Sequence, residues 1–164
     1  MRQTDAYRSD PEAWLVDCLT QTGRIPLPEL LRLPHERWHL PGQMFTLTEP
    51  ETEGPVQADL TLQRHPGSLM LSGHLSATLV LTCTKCLSLF EQPCELDVSE
   101  GFVFESPAAH QAISGREVEI ASDDFVEELD PRGALDVADV LRQLLELSID
   151  PSPRCDACAP EHAE

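Results

Sequence analysis

The amino-acid sequence predicts a mostly β fold (α+β): an antiparallel, partly closed sheet or barrel, with a short N-terminal helix and one amphipathic C-terminal helix. Apolar and polar residues alternate over much of the stretch between residues 56 and 104, which is the period of half-buried strands. Near the two ends of the chain, apolar residues recur at the spacing of a helix. A chain of 164 residues can bury the core of one domain. We expect about five to seven strands in that domain.

The N-terminal helix is predicted from its start signals. Asp10 is suited to the N-cap, and Pro11 is suited to the first helical position. The apolar residues at helical spacing that precede Gly23 are Trp14, Leu15, Cys18 and Leu19. The next segment, residues 25–34, contains three prolines and is predicted to form an extended arm or a broken turn of helix.

A β-hairpin is predicted around the turn at residues 65–67, His-Pro-Gly. Alternating apolar residues run over 56–62 before this turn and over 69–75 after it. We expect the second strand to continue toward Cys83 and to bend near Gly73, because glycine inside a strand often marks a bend.

Two more strands are predicted further along the chain. Residues 96–104 alternate again, and Gly101 within them is expected to form a β-bulge. Val118 and Ile120 predict one more short strand.

The C-terminal helix has the clearest pattern. Gly133 breaks the preceding chain, Asp136 can act as the N-cap, and Pro151 and Pro153 follow the end of the helix. The apolar residues at i, i+3, i+4, i+7 and i+8 are Val137, Val140, Leu141, Leu144 and Leu145. This stripe predicts that one face of the helix is buried against the sheet.

The chain is strongly acidic, with a formal net charge of −18. Residues 1–45 carry five arginines against six acidic residues, whereas residues 46–164 carry six basic against 23 acidic residues. A protein surface with this excess of negative charge repels phosphate backbones and favours a cationic partner, either a basic protein or a metal ion. The charge can also serve only to keep the protein in solution.

The sequence predicts a cytoplasmic protein. No apolar run is long enough to span a membrane, and the first five residues lack the apolar region of a secretory signal. In a reducing compartment, the six cysteines are expected to be thiols or metal ligands rather than disulfides.

Two Cys-x-x-Cys pairs, Cys83/Cys86 and Cys155/Cys158, are candidate zinc ligands. Each such turn directs two sulfurs at one point, and two turns can complete a tetrahedral zinc site. The pairs are 72 residues apart, more than the loop of about 15–20 residues in compact zinc motifs. The alternative is that the first pair is a tight turn with buried thiols and the second lies on a polar tail. Strands on both sides argue against a thioredoxin-like role.

No catalytic motif is present in the sequence. There is no glycine-rich phosphate loop and no Gly-x-Ser-x-Gly motif. His35 and His39 have the spacing of a helical metal pair, but Pro34 and Pro41 leave room only for a short helix. We therefore expect a protein that is not an enzyme.

Four features occur in order along the chain: a proline-rich arm, a hairpin, the stretch Cys83-Thr84-Lys85-Cys86 with an aromatic at Phe90, and a late helix at 135–149 followed by proline and cysteine. In these features the chain resembles the YceD-like family of large-ribosomal-subunit RNA accumulation proteins, especially its cyanobacterial-type members. The resemblance covers about residues 24–158, which we interpret as a single domain. Residues 1–23 would be an extension and residues 159–164 a tail.

The resemblance implies a non-catalytic role in accumulation of large-subunit ribosomal RNA and in ribosome assembly. The acidic charge favours binding of a basic ribosomal protein or pre-ribosomal particle. One alternative is direct RNA binding, in which the first 45 residues contact phosphates and stack a base. The residues proposed for that contact are Arg24, Arg32, Arg37 and Trp38. Another alternative is a zinc-stabilised structural module.

Overall fold

A five-stranded sheet is the main element of the computed structural model, which describes residues 10–104 and 126–159. The strand order is β2-β3-β4-β5-β6, and β1 and β7 form a separate two-stranded sheet. The strands are β1 (Arg24–Pro26), β2 (Arg37–Phe45), β3 (Val56–His65), β4 (Ser68–Thr82), β5 (Leu89–Phe104), β6 (Val126–Leu129) and β7 (Ala134–Asp136). The helices are α1 (Pro11–Gln21), the single turn α2 (Leu27–Leu30) and α3 (Val137–Ser148). The prediction of a mostly β fold with a helix near each end is confirmed.

Both long helices begin as the sequence predicts. The Asp10 carboxylate accepts a hydrogen bond from the Ala13 N–H at 3.1 Å, and the Asp136 carboxylate accepts one from the Asp139 N–H at 3.0 Å. These bonds satisfy backbone donors that the first helical turn leaves unpaired. The predicted stripe of α3 is buried at four of its five positions: Val137, Val140, Leu141 and Leu145.

The proline-rich segment contains both predicted conformations in succession. Its extended part is β1, in which Ile25 pairs with Leu135 of β7, and the helical turn α2 follows directly. The segment contributes four fully buried side chains to the core: Ile25, Leu27, Leu30 and Leu33. It therefore belongs to the core layer that covers the sheet.

The hairpin of β3 and β4 forms with the predicted turn, and β4 pairs with β5 along its full length. The pairing of β4 with β5 is continuous through Gly101, so the predicted bulge at that residue is wrong. The register shift lies instead in β2, between Leu40 and Gln43. Pro41, which has no N–H to donate, and Gly42, with φ +65°, occupy this irregular position.

The sheet is mixed and open, which corrects the prediction of an antiparallel sheet or barrel. β6 runs parallel to β5, with Gly101 opposite Val126. Parallel neighbours need a connection of about a dozen residues or more, and residues 105–125 supply that length. β2 and β6 stand at the two ends of the strand order, and no pairing in the described part of the chain joins them. The strand predicted at Val118 and Ile120 lies outside the described residues.

The two faces of the sheet differ in how far other parts of the protein pack against them. Inward-facing side chains such as Trp38, Leu60, Leu71 and Phe102 are fully buried in one cluster with the apolar residues of the helices. Most outward-facing side chains along β3, β4 and β5 are polar or exposed. One face of the sheet therefore holds the core, and the other face is open.

Gly73 is required where β4 pairs with β3, opposite Leu60. Its φ is +145°, and a Cβ atom there would collide with the backbone carbonyl of Asp59. We predict that Gly73→Ala lowers the free energy of unfolding by about 3 kcal/mol, measured by urea denaturation. Gly101→Ala is the matched control, because the nearest atom to its added Cβ is the Met70 methyl at 3.9 Å. Equal losses of stability in the two variants would show that the close contact with the Asp59 carbonyl does not restrict residue 73 to glycine.

Candidate metal centre

The four predicted zinc ligands converge at one end of the sheet. Cys83 and Cys86 lie in the turn that joins β4 to β5, and Cys155 and Cys158 lie in the segment that follows α3. All four sulfur atoms lie within 4.8 Å of one another. The structure thus brings together two pairs that are distant in sequence.

The first Cys-x-x-Cys turn is held by backbone hydrogen bonds. The Cys83 N–H donates to the Ser88 carbonyl at 2.9 Å, and the Leu87 N–H donates to the Cys83 carbonyl at 2.9 Å. Leu87 closes the turn with φ +63°, a left-handed conformation that glycine adopts more readily. These bonds fix the direction in which both sulfurs point.

The second turn is attached to the first by hydrogen bonds as well as by proximity. The Cys158 N–H donates to the Cys155 carbonyl at 2.9 Å, which closes the second turn. The Pro153 carbonyl accepts hydrogen bonds from the Thr84 N–H at 2.9 Å and from the Thr84 hydroxyl at 3.2 Å. The segment after α3 is therefore positioned beside the β4–β5 turn by groups other than the cysteines.

The spacing of the sulfurs fits a tetrahedral metal site. The Sγ atoms of Cys86 and Cys155 are 3.7 Å apart. Four sulfurs at about 2.3 Å from a zinc ion lie about 3.8 Å from one another in ideal tetrahedral geometry. A disulfide would require a separation of about 2.0 Å, and all four cysteines are free thiols.

Hydrogen-bond donors favour the thiolate form in the first turn. The backbone N–H of Cys86, followed by that of Cys155, lowers the pKa of the Cys83 thiol to about 6. The hydroxyl of Ser88, whose oxygen is 2.8 Å from the Cys86 sulfur, lowers the pKa of Cys86. These two sulfurs are thus prepared to ionise, as metal ligands must be.

Four thiolates are disfavoured in this cluster when no cation is bound. Its neighbours, Cys155 first and Cys86 second, raise the pKa of the Cys158 thiol to about 12. A divalent ion would reverse this effect, because it attracts all four negative sulfurs. Lys85 lies within the first turn, and Arg154 directly precedes Cys155 of the second. Each turn therefore has a positive charge next to a cysteine in the sequence.

The arrangement is typical of a structural rather than a catalytic metal site. Four protein sulfurs fill a tetrahedral ion's coordination and leave no position for water or a substrate. Cys83 is buried, Cys155 and Cys158 are half-buried, and Cys86 is exposed at the edge. The two remaining cysteines lie elsewhere: Cys18 is on α1, and Cys94 on β5 lies 3.5 Å from the Ser148 hydroxyl.

The structure places one of the four residues proposed for RNA contact in the core. Trp38 is only 1 % exposed and belongs to the core, so its ring cannot stack on a base in this conformation. Its neighbour Arg37 is exposed, as is Arg32. Arg24 donates to the Asp136 carboxylate at 3.0 Å.

Acidic residues on the open face were missed by the sequence reasoning, although the alternation of β5 could have revealed them. Glu91, Glu95 and Asp97 are exposed and occupy alternate positions of β5, on the face opposite to the buried Val98 and Phe102. Only Asp97 has a side-chain partner among the described residues, the His74 ring nitrogen at 3.3 Å. The open face is therefore anionic along β5.

The fold and the cluster together define a β-rich protein with a four-thiol candidate metal centre. The chain belongs to the family described as large ribosomal RNA subunit accumulation protein YceD, whose model matches residues 71–164. The matched residues include all four cysteines of the cluster, the whole of β5 and α3. Searches of the curated proteins and of the solved structures found no match. Among the helices of the described residues, none has the length and apolar character needed to cross a membrane.

The conformation of Leu87 gives a test of the first turn. A left-handed leucine costs about 1–2 kcal/mol, and this side chain is 74 % exposed, so its removal loses little burial. We predict that Leu87→Gly raises the free energy of unfolding by about 0.5–1 kcal/mol in a urea titration.

Leu89→Gly is the control for this prediction, since Leu89 is also exposed but lies in β5. Glycine in a strand is unfavourable, so this variant should lose about 0.5–1 kcal/mol. A loss of stability in both variants would contradict the left-handed turn at Leu87.

Proposed function

We propose that the chain supports accumulation of the large ribosomal RNA subunit as a non-catalytic assembly factor that binds a basic ribosomal protein or pre-ribosomal particle. The description of its family supports the first part of this proposal. The second part rests on the open, acidic face of the sheet. A negative surface attracts a cationic partner, speeds the encounter and disfavours anionic competitors.

The exposed carboxylates of β5 are the observation that carries the proposal. Glu91, Glu95 and Asp97 lie on a sheet face that no described helix covers. They belong to a chain with a net charge of −18. At physiological salt such charges act over about 8 Å, which is enough to guide a partner at contact distance.

Most of the described arginine side chains form hydrogen bonds or ion pairs with neighbouring groups of the protein. Arg142 binds the carboxylates of Asp139 at 2.6 Å and Glu146 at 2.9 Å, both on α3. Arg64 donates to the backbone carbonyls of Leu31 and Leu33 at 3.1 and 2.8 Å. These contacts hold positive charge near α3 and the proline-rich segment rather than on the acidic stripe of β5.

Direct RNA binding is the second candidate, and Arg32 and Arg37 are the residues that favour it. Both side chains are exposed and form no ion pair with the described residues. Two phosphate contacts supply little affinity at physiological salt, and the acidic body would repel the rest of the backbone. We therefore rank binding of a basic protein above direct RNA binding.

We further propose that zinc binds Cys83, Cys86, Cys155 and Cys158 and fastens the segment after α3 to the β4–β5 turn. The sulfur spacing and the lowered pKa values of Cys83 and Cys86 support this role. Zinc would add metal–sulfur coordination to the hydrogen bonds between Thr84 and Pro153.

Protein purified without added metal is expected to contain one zinc ion per chain, measured by mass spectrometry of metals. Cys86→Ser or Cys158→Ser should lose the metal and about 3 kcal/mol or more of stability, because ligand binding contributes to folding. Cys94→Ser is the control, since this thiol lies outside the cluster. Absence of stoichiometric metal, with melting unchanged after chelation, would refute the zinc proposal.

The two candidate partners can be separated by salt titrations. Purified protein is mixed with basic ribosomal proteins and, separately, with fragments of large-subunit ribosomal RNA. We predict binding to the basic proteins that weakens as salt rises, and no binding to the RNA above 0.1 M salt, a level at which charges act over about 10 Å.

An Arg32→Ala/Arg37→Ala variant should bind the basic proteins as well as the unmodified protein does. Binding to RNA alone, with a steep salt dependence that the same variant loses, would contradict the proposal and support direct RNA binding instead.

A further inference from the structure

A groove on the open sheet face combines an exposed thioether with three acidic side chains. It consists of two adjoining cavities of about 590 and 230 Å³ that share Met44, Gln57 and Ser76. We call it the Met44 groove. Its acidic residues are Glu53 and Glu95 in the larger cavity and Asp59 in the smaller one.

The bulge in β2 explains why Met44 lines this groove. Trp38 and Leu40 point inward before the bulge, so regular alternation would also point residue 44 inward. The register shift between Leu40 and Gln43 reverses the alternation, so Gln43 and not Met44 is buried. Met44 is left 57 % exposed on the open face.

The remaining walls are built by the segment that precedes β3. This segment returns to β4, where the Glu53 N–H donates to the Thr78 carbonyl at 2.8 Å. Across the floor, Gln57 of β3 pairs with Ser76 of β4, which in turn pairs with Glu95 of β5. The small side chain of Ser76 lies between longer side chains and leaves a depression.

The groove is lined by carboxylates and by one histidine, His74, whose ring nitrogen lies 3.3 Å from the Asp97 carboxylate. No lysine or arginine lines either cavity. Asp59 accepts a hydrogen bond from the Gly42 N–H at 2.6 Å, which leaves its negative charge in place. The carboxylates of Glu53 and Glu95 form no ion pair within residues 10–104 and 126–159.

We propose that the Met44 groove binds an extended, lysine- or arginine-rich segment of a partner polypeptide. The stems of such side chains can lie on Met44 while their charged ends reach the carboxylates. Asp59 and Glu95 stand on strands two apart, about 12 Å from each other by strand geometry. Basic residues about four positions apart in an extended segment would match this distance. The inference rests on the proposed function and specifies its binding surface.

The test is a fluorescence titration of the full chain with a labelled twelve-residue peptide of alternating lysine and serine. We expect Glu53→Gln/Glu95→Gln to weaken binding about tenfold, because two exposed charge contacts are lost. Glu12→Gln/Asp17→Asn is the matched control, since it removes the same charge from exposed positions on α1. The control should change the affinity less than about twofold.

The outcomes separate this inference from the proposed function. Equal weakening in the two double variants would overturn the groove as the docking site and leave general acidic attraction intact. The same conclusion follows if the peptide does not bind while basic ribosomal proteins do. Failure of both the peptide and the basic ribosomal proteins to bind would overturn the inference and the proposed function together.

Discussion

The whole fold depends on one constraint. The sheet has two faces, and the apolar side chains of the helices and the proline-rich segment are sufficient to cover only one of them. Leu15, Leu27 and Leu141, from three different helices, share one buried cluster with the inward side chains of the sheet. Each buried side chain of this kind contributes about 1.5–3 kcal/mol, which fixes the inner face firmly. The outward face offers mainly polar groups such as Thr61 and Ser72, so burying it against the protein's own helices would gain little. A polar partner can use that face without disturbing the core.

The cysteine cluster lies where the segment after α3 meets the β4–β5 turn. α3 packs on the core through its apolar stripe, but the segment after it has few buried side chains. Pro153 and Cys155 of that segment meet Thr84 and Cys86 of the β4–β5 turn. A metal at this junction would link the longest hairpin of the described fold to the helix layer, and it would do so at a distance from the acidic groove along the same strands.

Local signals in the sequence predicted the elements that depend on neighbouring residues. The N-caps at Asp10 and Asp136 are examples, since each needs only the next three residues to form its hydrogen bond. The convergence of Cys83 with Cys155 could also be predicted, because metal chemistry requires four ligands whatever their separation. The parallel pairing of β6 and the outward position of Met44 could not. The first depends on a non-local crossover, and the second on a bulge that alternation alone assigns to the wrong place.

The open, acidic face of the sheet is the surface that we propose for partner binding. Met44 and Met70 are both on that face, 57 % and 37 % exposed, so their methyl groups report on it directly. We would record the methyl NMR spectrum of methionine-labelled protein while adding basic ribosomal proteins. The account predicts that the Met44 signal shifts or broadens, with a smaller change at Met70. Binding that leaves both methyl signals unchanged would contradict it.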